Sequence, residues 1–371
     1  MEWQLHERGF LPLRDPAGRL SDPVFDGIER LAADLPRLVH DRSFRQASKD
    51  DTAPLEWDRL LPALAEEAAE RLFMLYCYCA SAYVHSPGLP EVRELPAYLA
   101  GPLVRLAQRV DRPPILSYAS YCLHNWRRLD PQGPVALGNI ALLQNFSLPG
   151  HGKEDEDWFI LVHVDIEARA AGALQAVHAA PAVLARQDQA GMIDLLERTA
   201  ASLHAMNATM ARMPEGCSAE VYFKKVRPYI FGFTGIVYDG CFANEPQNFR
   251  GETGAQSSIV PTMLAALGIR HKSSLLTQHL QDMLTYMPRP HRQFILGQVS
   301  VRDFVQHAAQ PSLRDRYNAC IAELVTFRNK HFDYAVSYIE KKVDNPIATG
   351  GTPYIPWLRQ LIDETKEYFV P

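Results

Sequence analysis

Residues 312–343, SLRDRYNACIAELVTFRNKHFDYAVSYIEKKV, carry the pattern on which the reading of this chain turns. Tyr317, Ile321, Leu324, Phe327, Tyr334, Ala335 and Tyr338 recur at three- and four-residue intervals, which predicts one apolar face on a long amphipathic helix. His331 falls on that face. Phe327 stands four residues before it, and Tyr334 and Ala335 three and four after, so no second metal-binding side chain occupies the spacing of a helical zinc or di-iron site. A single imidazole on an apolar helix face suits the one proximal ligand of a haem. Taken alone, the pattern favours the plainer reading of a hydrogen-bonded core histidine.

The chain has 371 residues, long enough for two packed domains, and 47% hydrophobic with 22% charged residues excludes a disordered protein. Its net charge of −5 and the lack of a long basic run leave nothing to draw it to nucleic acid or to an anionic membrane surface. Leu72–Val84, LFMLYCYCASAYV, is too short to span a bilayer and reads as a buried helix. MEWQLHERGF at the start has no cationic region followed by an apolar stretch, so a cytoplasmic protein is expected. The six cysteines are scattered, and C-x-C at Cys77 and Cys79 is not a zinc spacing, so buried reduced thiols are expected.

Helical patterns separated by Pro-rich turns run through residues 1–111: Phe25–Val39, Leu60–Val84 and Ala97–Val110. This third of the chain is read as a small helical domain with a structural or lid-forming role. Residues 112–371 are read as the larger helical domain. Ile115–Leu129 is helical in pattern, and Pro131–Asp157, rich in Gly, Pro and acids, is expected to be an exposed connecting loop. From Trp158 the helical patterns continue: a central buried helix, then Met192–Arg212, Ala219–Val226, Gln256–Leu267 and Ser274–Tyr286. No sustained alternation of period two occurs, so an all-α fold is predicted.

Four further places hold candidate chemistry. His163 lies among Phe159, Ile160 and Ile166 and needs a partner if buried; Glu167, one turn on, is the expected one. Arg227 precedes Pro228, which is expected to push it out of helical geometry and leave a guanidinium at a kink, able to grip a carboxylate. The plain alternatives are a local hydrogen bond for the first and a solvated basic cluster for the second. RGETGAQSS, 250–258, offers hydroxyls and backbone N–H groups but no P-loop lysine. TGGT, 349–352, is either a linker or part of a mobile loop over 341–355.

In order along the chain, ERGFLP (7–12), ASAYVH (80–85), RPPILSYASYCLHNWRRLDP (112–131), RGETGAQSS, LQDMLTYMPRPHRQFI (280–295), FRNKHFDYAVSYI (327–339) and ATGGT (348–352) resemble the indoleamine 2,3-dioxygenase family. These are two-domain helical haem enzymes, related to the tryptophan 2,3-dioxygenases, that open the indole ring of tryptophan with O2. The resemblance implies haem b with His331 as proximal iron ligand. It implies Arg227 on the substrate carboxylate, Tyr222 and Phe223 in an aromatic wall, and Tyr118, Tyr121, Cys122 and Phe159 around the indole. Thr253 and Gly254 would meet the ammonium, and Thr349 would lie on the closing loop. His163 falls where the animal enzymes carry a serine and the tryptophan 2,3-dioxygenases a histidine bonded to the indole N–H.

Three departures accompany the likeness: Tyr222 replaces the first phenylalanine of an aromatic doublet, Phe233 replaces a proximal-side tryptophan, and Leu264 replaces an aspartate near Arg328. Arg328 is therefore expected to lack its acidic partner. The expected reaction is L-tryptophan, or a close indole analogue, plus O2 to N-formylkynurenine, catalysed by a monomer that needs an electron donor to keep its iron ferrous. The alternatives are other His-ligated haem chemistry on a tryptophan derivative, as in monodechloroaminopyrrolnitrin synthase, and a haem-binding protein without turnover.

Overall fold

The computed structural model describes residues 5–51, 55–308, 310–339 and 354–371. Helices of two turns or more are α1 (Asp26–His40), α2 (Phe44–Asp51), α3 (Glu66–Val84), α4 (Ala97–Val110), α5 (Lys153–His178) and α6 (Gln189–Met210). They continue as α7 (Ile259–Ala266), α8 (Leu275–Leu284), α9 (Arg289–Leu296), α10 (Pro311–Tyr338) and α11 (Tyr354–Lys366). The fold is all-α, as the periodicity predicts.

Short strands decorate it: β1 (Glu94–Leu95), β2 (Trp126–Arg128), β3 (Ile140–Leu142), β4 (Phe233–Tyr238) and β5 (Gln247–Phe249). β4 runs parallel to β1 and antiparallel to β5, and β2 pairs antiparallel with β3, Trp126 opposite Leu142. At two to six residues they are too short to write a period into the sequence.

The apolar run in α3 is buried on every side, from Ala69 through Ala82. α3 packs on α1 and α4, and a buried ion pair, Arg71 to Glu29 at 2.8 Å, ties it to α1. α5 starts with Glu154, Asp155 and Glu156, which suits the positive end of a helix dipole, and continues largely buried, with Asp165 and Glu167 among its buried residues. α6 lies against both α5 and α10, and α11 closes over α10. No helix among the described residues is long and apolar enough to cross a membrane.

Two expectations are corrected. Ile115–Leu129 is not a helix: a five-residue π-turn, Ala119–Leu123, is followed by β2. Its periodic apolar residues report burial on all sides rather than one helix face. Pro131–Asp157 is an exposed loop only in its first part: 131–139 are exposed or half-buried, but 144–147 are buried and the chain enters α5 at Lys153. Side chains meet the backbone's polar groups there: Gln144 N–H donates to Asn125 Oδ1 at 2.8 Å, and Phe146 and Ser147 N–H donate to the Glu156 carboxyl at 2.9 Å.

Candidate active site

On α10, Tyr317, Ile321, Leu324, Arg328, Ala335 and Tyr338 are buried, whereas His331, on the same stripe, is exposed. Protein nevertheless surrounds its imidazole closely enough that burial, aided by the charges of His163 and Arg328, holds its pKa down to about 4. An exposed side chain enclosed in this way faces a hollow within the fold rather than bulk water. No hydrogen-bond partner holds it among the described residues, so a neutral ring nitrogen is available to a ligand.

His163 on α5 is the facing group whose charge reaches His331. Its Nδ1 lies 2.7 Å from the Phe159 carbonyl oxygen. A carbonyl only accepts, so Nδ1 carries the proton and Nε2 is left as an acceptor. Burial lowers the His163 pKa, with the Phe159 bond opposing, and the ring stays neutral. The Phe159 ring stands 4.7 Å from both His163 and Tyr222, and Tyr118 meets His163 edge-on at 6.0 Å. The expected His163–Glu167 bond does not form. Helix side chains lean toward the N-terminus, so the imidazole reaches the carbonyl four residues back, while Glu167 accepts from Tyr118 Oη at 2.9 Å and Ser257 Oγ at 2.7 Å.

The Ala219–Val226 helix is also corrected: a turn at Ala219–Val221 widens into a π-turn over Tyr222–Val226, then tightens into a 3-10 turn over Arg227–Ile230. Arg227 keeps right-handed helical dihedrals, φ −54° and ψ −37°, because Pro228 sits in the first turn of the new helix, where its missing N–H is not needed. Its buried guanidinium lies 4.5 Å from the ring of Phe231 and 5.4 Å from that of Phe223. α3 seats this segment: Ser81 Oγ donates to the Tyr229 carbonyl, and His85 Nε2 is 3.0 Å from that of Phe231.

The 250–258 loop is stitched to the same segment. Glu252 N–H donates to Ile230 O at 3.0 Å, and a Cβ on Gly251 would stand 2.3 Å from that oxygen, so only glycine allows the approach. Thr253 is half-buried and Gly254 exposed. Tyr118, Tyr121 and Cys122 are sealed in the core behind Phe159 and His163, the last two on the first π-turn. Thr349 lies outside the described residues.

Arg328 does have an acidic partner, reached through another side chain. It donates to Leu361 O and Thr365 Oγ1 of α11 and, at 3.1 Å, to His271 Nε2, while His271 Nδ1 is 2.7 Å from Glu364 Oε2. Burial draws the Arg328 pKa down to about 10, with Glu364 opposing. Burial pushes the Glu364 carboxyl up, and the hydrogen bonds from Gln360 and His271 outweigh it, leaving it below the ordinary value. Leu264 is half-buried, and Phe233 packs on His85 at 5.3 Å. A separate surface hollow of about 250 Å³, lined by Val177, His178, Pro181 and Phe294, includes none of the residues above.

The indoleamine 2,3-dioxygenase family model matches residues 2–345. The chain belongs to the indoleamine 2,3-dioxygenase family. Indoleamine 2,3-dioxygenase 1 of Rattus norvegicus is 31% identical over 399 aligned positions, covering 99% of this chain and 94% of the relative. Indoleamine 2,3-dioxygenase of Saccharomyces cerevisiae is 28% identical, covering 96% and 90%, and indoleamine 2,3-dioxygenase 2 of Homo sapiens is 27% identical, covering 97% and 93%. The chain is an oxidoreductase of this family.

The residues present fit the haem that the family resemblance implies. Among the described residues no group of three or more His, Cys, Asp or Glu could hold a bare metal ion. A haem iron takes four ligands from its own macrocycle and one imidazole from the protein. His331, neutral and turned to a hollow, would supply that one. The π-turns that carry Tyr121, Cys122, Tyr222 and Phe223 gave no separate signal in the sequence, nor did the His271–Glu364 pair.

Proposed function

We propose that this protein is a haem-dependent dioxygenase that cleaves the indole C2–C3 bond of L-tryptophan with O2 to give N-formylkynurenine. The observation that carries the reading is His331, neutral and facing a hollow across from a second neutral histidine, His163. Bound haem b would supply the ferrous iron at which O2 is taken up, with an electron donor keeping the iron reduced.

The chain's own residues then bind and orient. Arg227, held between Phe223 and Phe231, takes the substrate carboxylate; Thr253 and Gly254, on the loop fastened to Ile230, take the ammonium. Phe159 and Tyr222 stack about the indole, with Tyr118, Tyr121 and Cys122 packed behind. His163 offers Nε2 to the indole N–H and fixes which edge of the ring meets O2, so much of the catalysis is positioning. Residues 1–111 act as a smaller domain that seats the Arg227 segment through Ser81 and His85. Five buried free thiols suit a cytoplasmic location.

The test is anaerobic reduction of the haem-reconstituted protein, followed by L-tryptophan and air, with N-formylkynurenine absorbance recorded. Product at a rate tied to haem content supports the reading. Haem uptake without product would sink it and leave a haem-binding protein.

A further inference from the structure

Glu167 is fully buried and makes an unusual junction. Its Oε1 accepts from Tyr118 Oη at 2.9 Å and from Ser257 Oγ at 2.7 Å, while Oε2 has no partner among the described residues. Tyr118 makes a second tie to the same loop, its backbone N–H donating to Gln256 Oε1 at 2.9 Å. Gln256 Nε2 in turn donates to Gly251 O at 3.0 Å. The 250–258 loop is thus pinned at Gly251 and again at Gln256 and Ser257. Between the pins lie Thr253, half-buried, and Gly254, whose absent Cβ would meet nothing within 4 Å. The open middle of the loop has its position set by its ends, and both ends run back to Tyr118 and Glu167.

A buried carboxyl with a bare oxygen is unfavourable, and burial pushes this one up to about 7, the Ser257 and Tyr118 bonds opposing. Its return is geometric. One oxygen takes two donors from two distant segments and locks both to α5, four residues beyond His163.

We propose that Glu167 is a positioning residue which, through Tyr118 and Ser257, fixes the Thr253–Gly254 turn against the His163 helix and so sets how strongly the site discriminates for a ligand's ammonium group. The inference rests on the amino-acid reading of the site given above and names what enforces it. Glu167 acts at a distance, through the loop.

The experiment titrates the haem-reconstituted full chain with L-tryptophan and with indole-3-propionate, which keeps indole and carboxylate and lacks the ammonium, following the ferric absorption spectrum. In wild type L-tryptophan binds more tightly than indole-3-propionate. Tyr118→Phe and Ser257→Ala each weaken L-tryptophan by about tenfold and leave indole-3-propionate within about twofold. Glu167→Leu does so at least as strongly, and Glu167→Gln, which keeps an acceptor oxygen, recovers most of the L-tryptophan affinity. If Glu167→Leu does not fold, the two single-hydroxyl deletions decide. Equal weakening of both ligands, which a direct contact of Tyr118 with indole would give, overturns the inference, as does unchanged L-tryptophan binding. A wild type that binds both ligands equally overturns the inference and leaves the indole reading standing; one that takes up haem and binds neither overturns both.

Discussion

Arg328 Nη2 lies 3.1 Å from His271 Nε2, and because a guanidinium only donates, that bond puts the imidazole proton on Nδ1, facing Glu364 Oε2 at 2.7 Å. The three side chains form a relay from a buried cation through a neutral ring to a carboxylate. His271→Ala strips one guanidinium nitrogen of its partner inside the protein and should destabilise the fold by roughly 2–3 kcal/mol. Urea unfolding measures it, and an unchanged midpoint would mean that water replaces the imidazole at no cost.

His331→Ala should abolish stoichiometric haem uptake. The measurement is a Soret titration of the purified variant, together with its ferrous spectrum. A normal five-coordinate ferrous spectrum in the variant would refute the ligand assignment.

The Arg227 guanidinium lies over two aromatic rings, 5.4 Å from that of Phe223 and 4.5 Å from that of Phe231. Arg227→Ala should raise the KM for L-tryptophan by about 30-fold or more, the scale of a lost charged hydrogen-bonded pair. Tryptamine, which has no carboxylate, should be turned over alike by variant and wild type. Equal KM values for L-tryptophan would place the carboxylate elsewhere.

With its Nδ1 proton committed to Phe159 O, His163 presents only an acceptor. The wild type should therefore take L-tryptophan far better than 1-methyl-L-tryptophan, which has no N–H to give. His163→Ser should keep activity at altered efficiency and narrow that preference severalfold. Complete loss of turnover in His163→Ser would argue for an obligatory base, and an unchanged preference would show that the imidazole does not meet the indole N–H.

Acid and base should each weaken the haem-free fold, through different groups. His85 and His331 are held down to about 4, mainly by burial, so the unfolded chain binds more protons than the folded one between about pH 6.5 and 4, and stability falls as pH falls through that window. Glu252 is pushed up to about 8 by burial, so the folded state holds its proton longer and stability falls as pH rises from about 4.5 to 8. Above pH 6.5 only the carboxyl effect persists, shared with Glu156 and Glu167, which burial pushes up to about 7, until about pH 7 and carried by Glu252 beyond it. Unfolding midpoints should decline gently from pH 6.5 to 8, and Glu252→Gln should flatten that decline; a slope unaltered by the substitution would assign it to another group.

Helix faces were legible in the sequence wherever a long stripe met a single core. Ala97–Val110 has the bounds its pattern predicts, and α10 carries His331 on the stripe read from Tyr317 to Tyr338. The reading failed at Ile115–Leu129 and Ala219–Val226, because over five residues a π-turn and an α-turn leave the same apolar spacing. It failed at 144–147 because polar residues there are buried by partners, Asn125 and Glu156, that composition does not reveal. At the candidate site, His163, Arg227 and His331 were singled out through ordered motifs. The ties that position them were not: Tyr118 to Glu167, Glu167 to Ser257 and His271 to Glu364 join residues 49, 90 and 93 apart, and no local pattern encodes a pairing of that span.

The two π-turns make chain length a variable of the site. In each, a backbone N–H reaches back five residues, His124 to Ala119 and Arg227 to Tyr222, so each turn holds one residue more than an α-helix would. Removing any one of Phe223–Val226 would let the turn close as ordinary helix with Arg227 N–H still reaching Tyr222 O, so the chain from Arg227 onward would keep its place while the side chains inside the turn are re-aimed. Phe223 would then be lost or turned relative to the Arg227 guanidinium, with no change to the chemistry of Arg227 itself. In such a fold, ligand preference can shift through a single-codon deletion as well as through substitution.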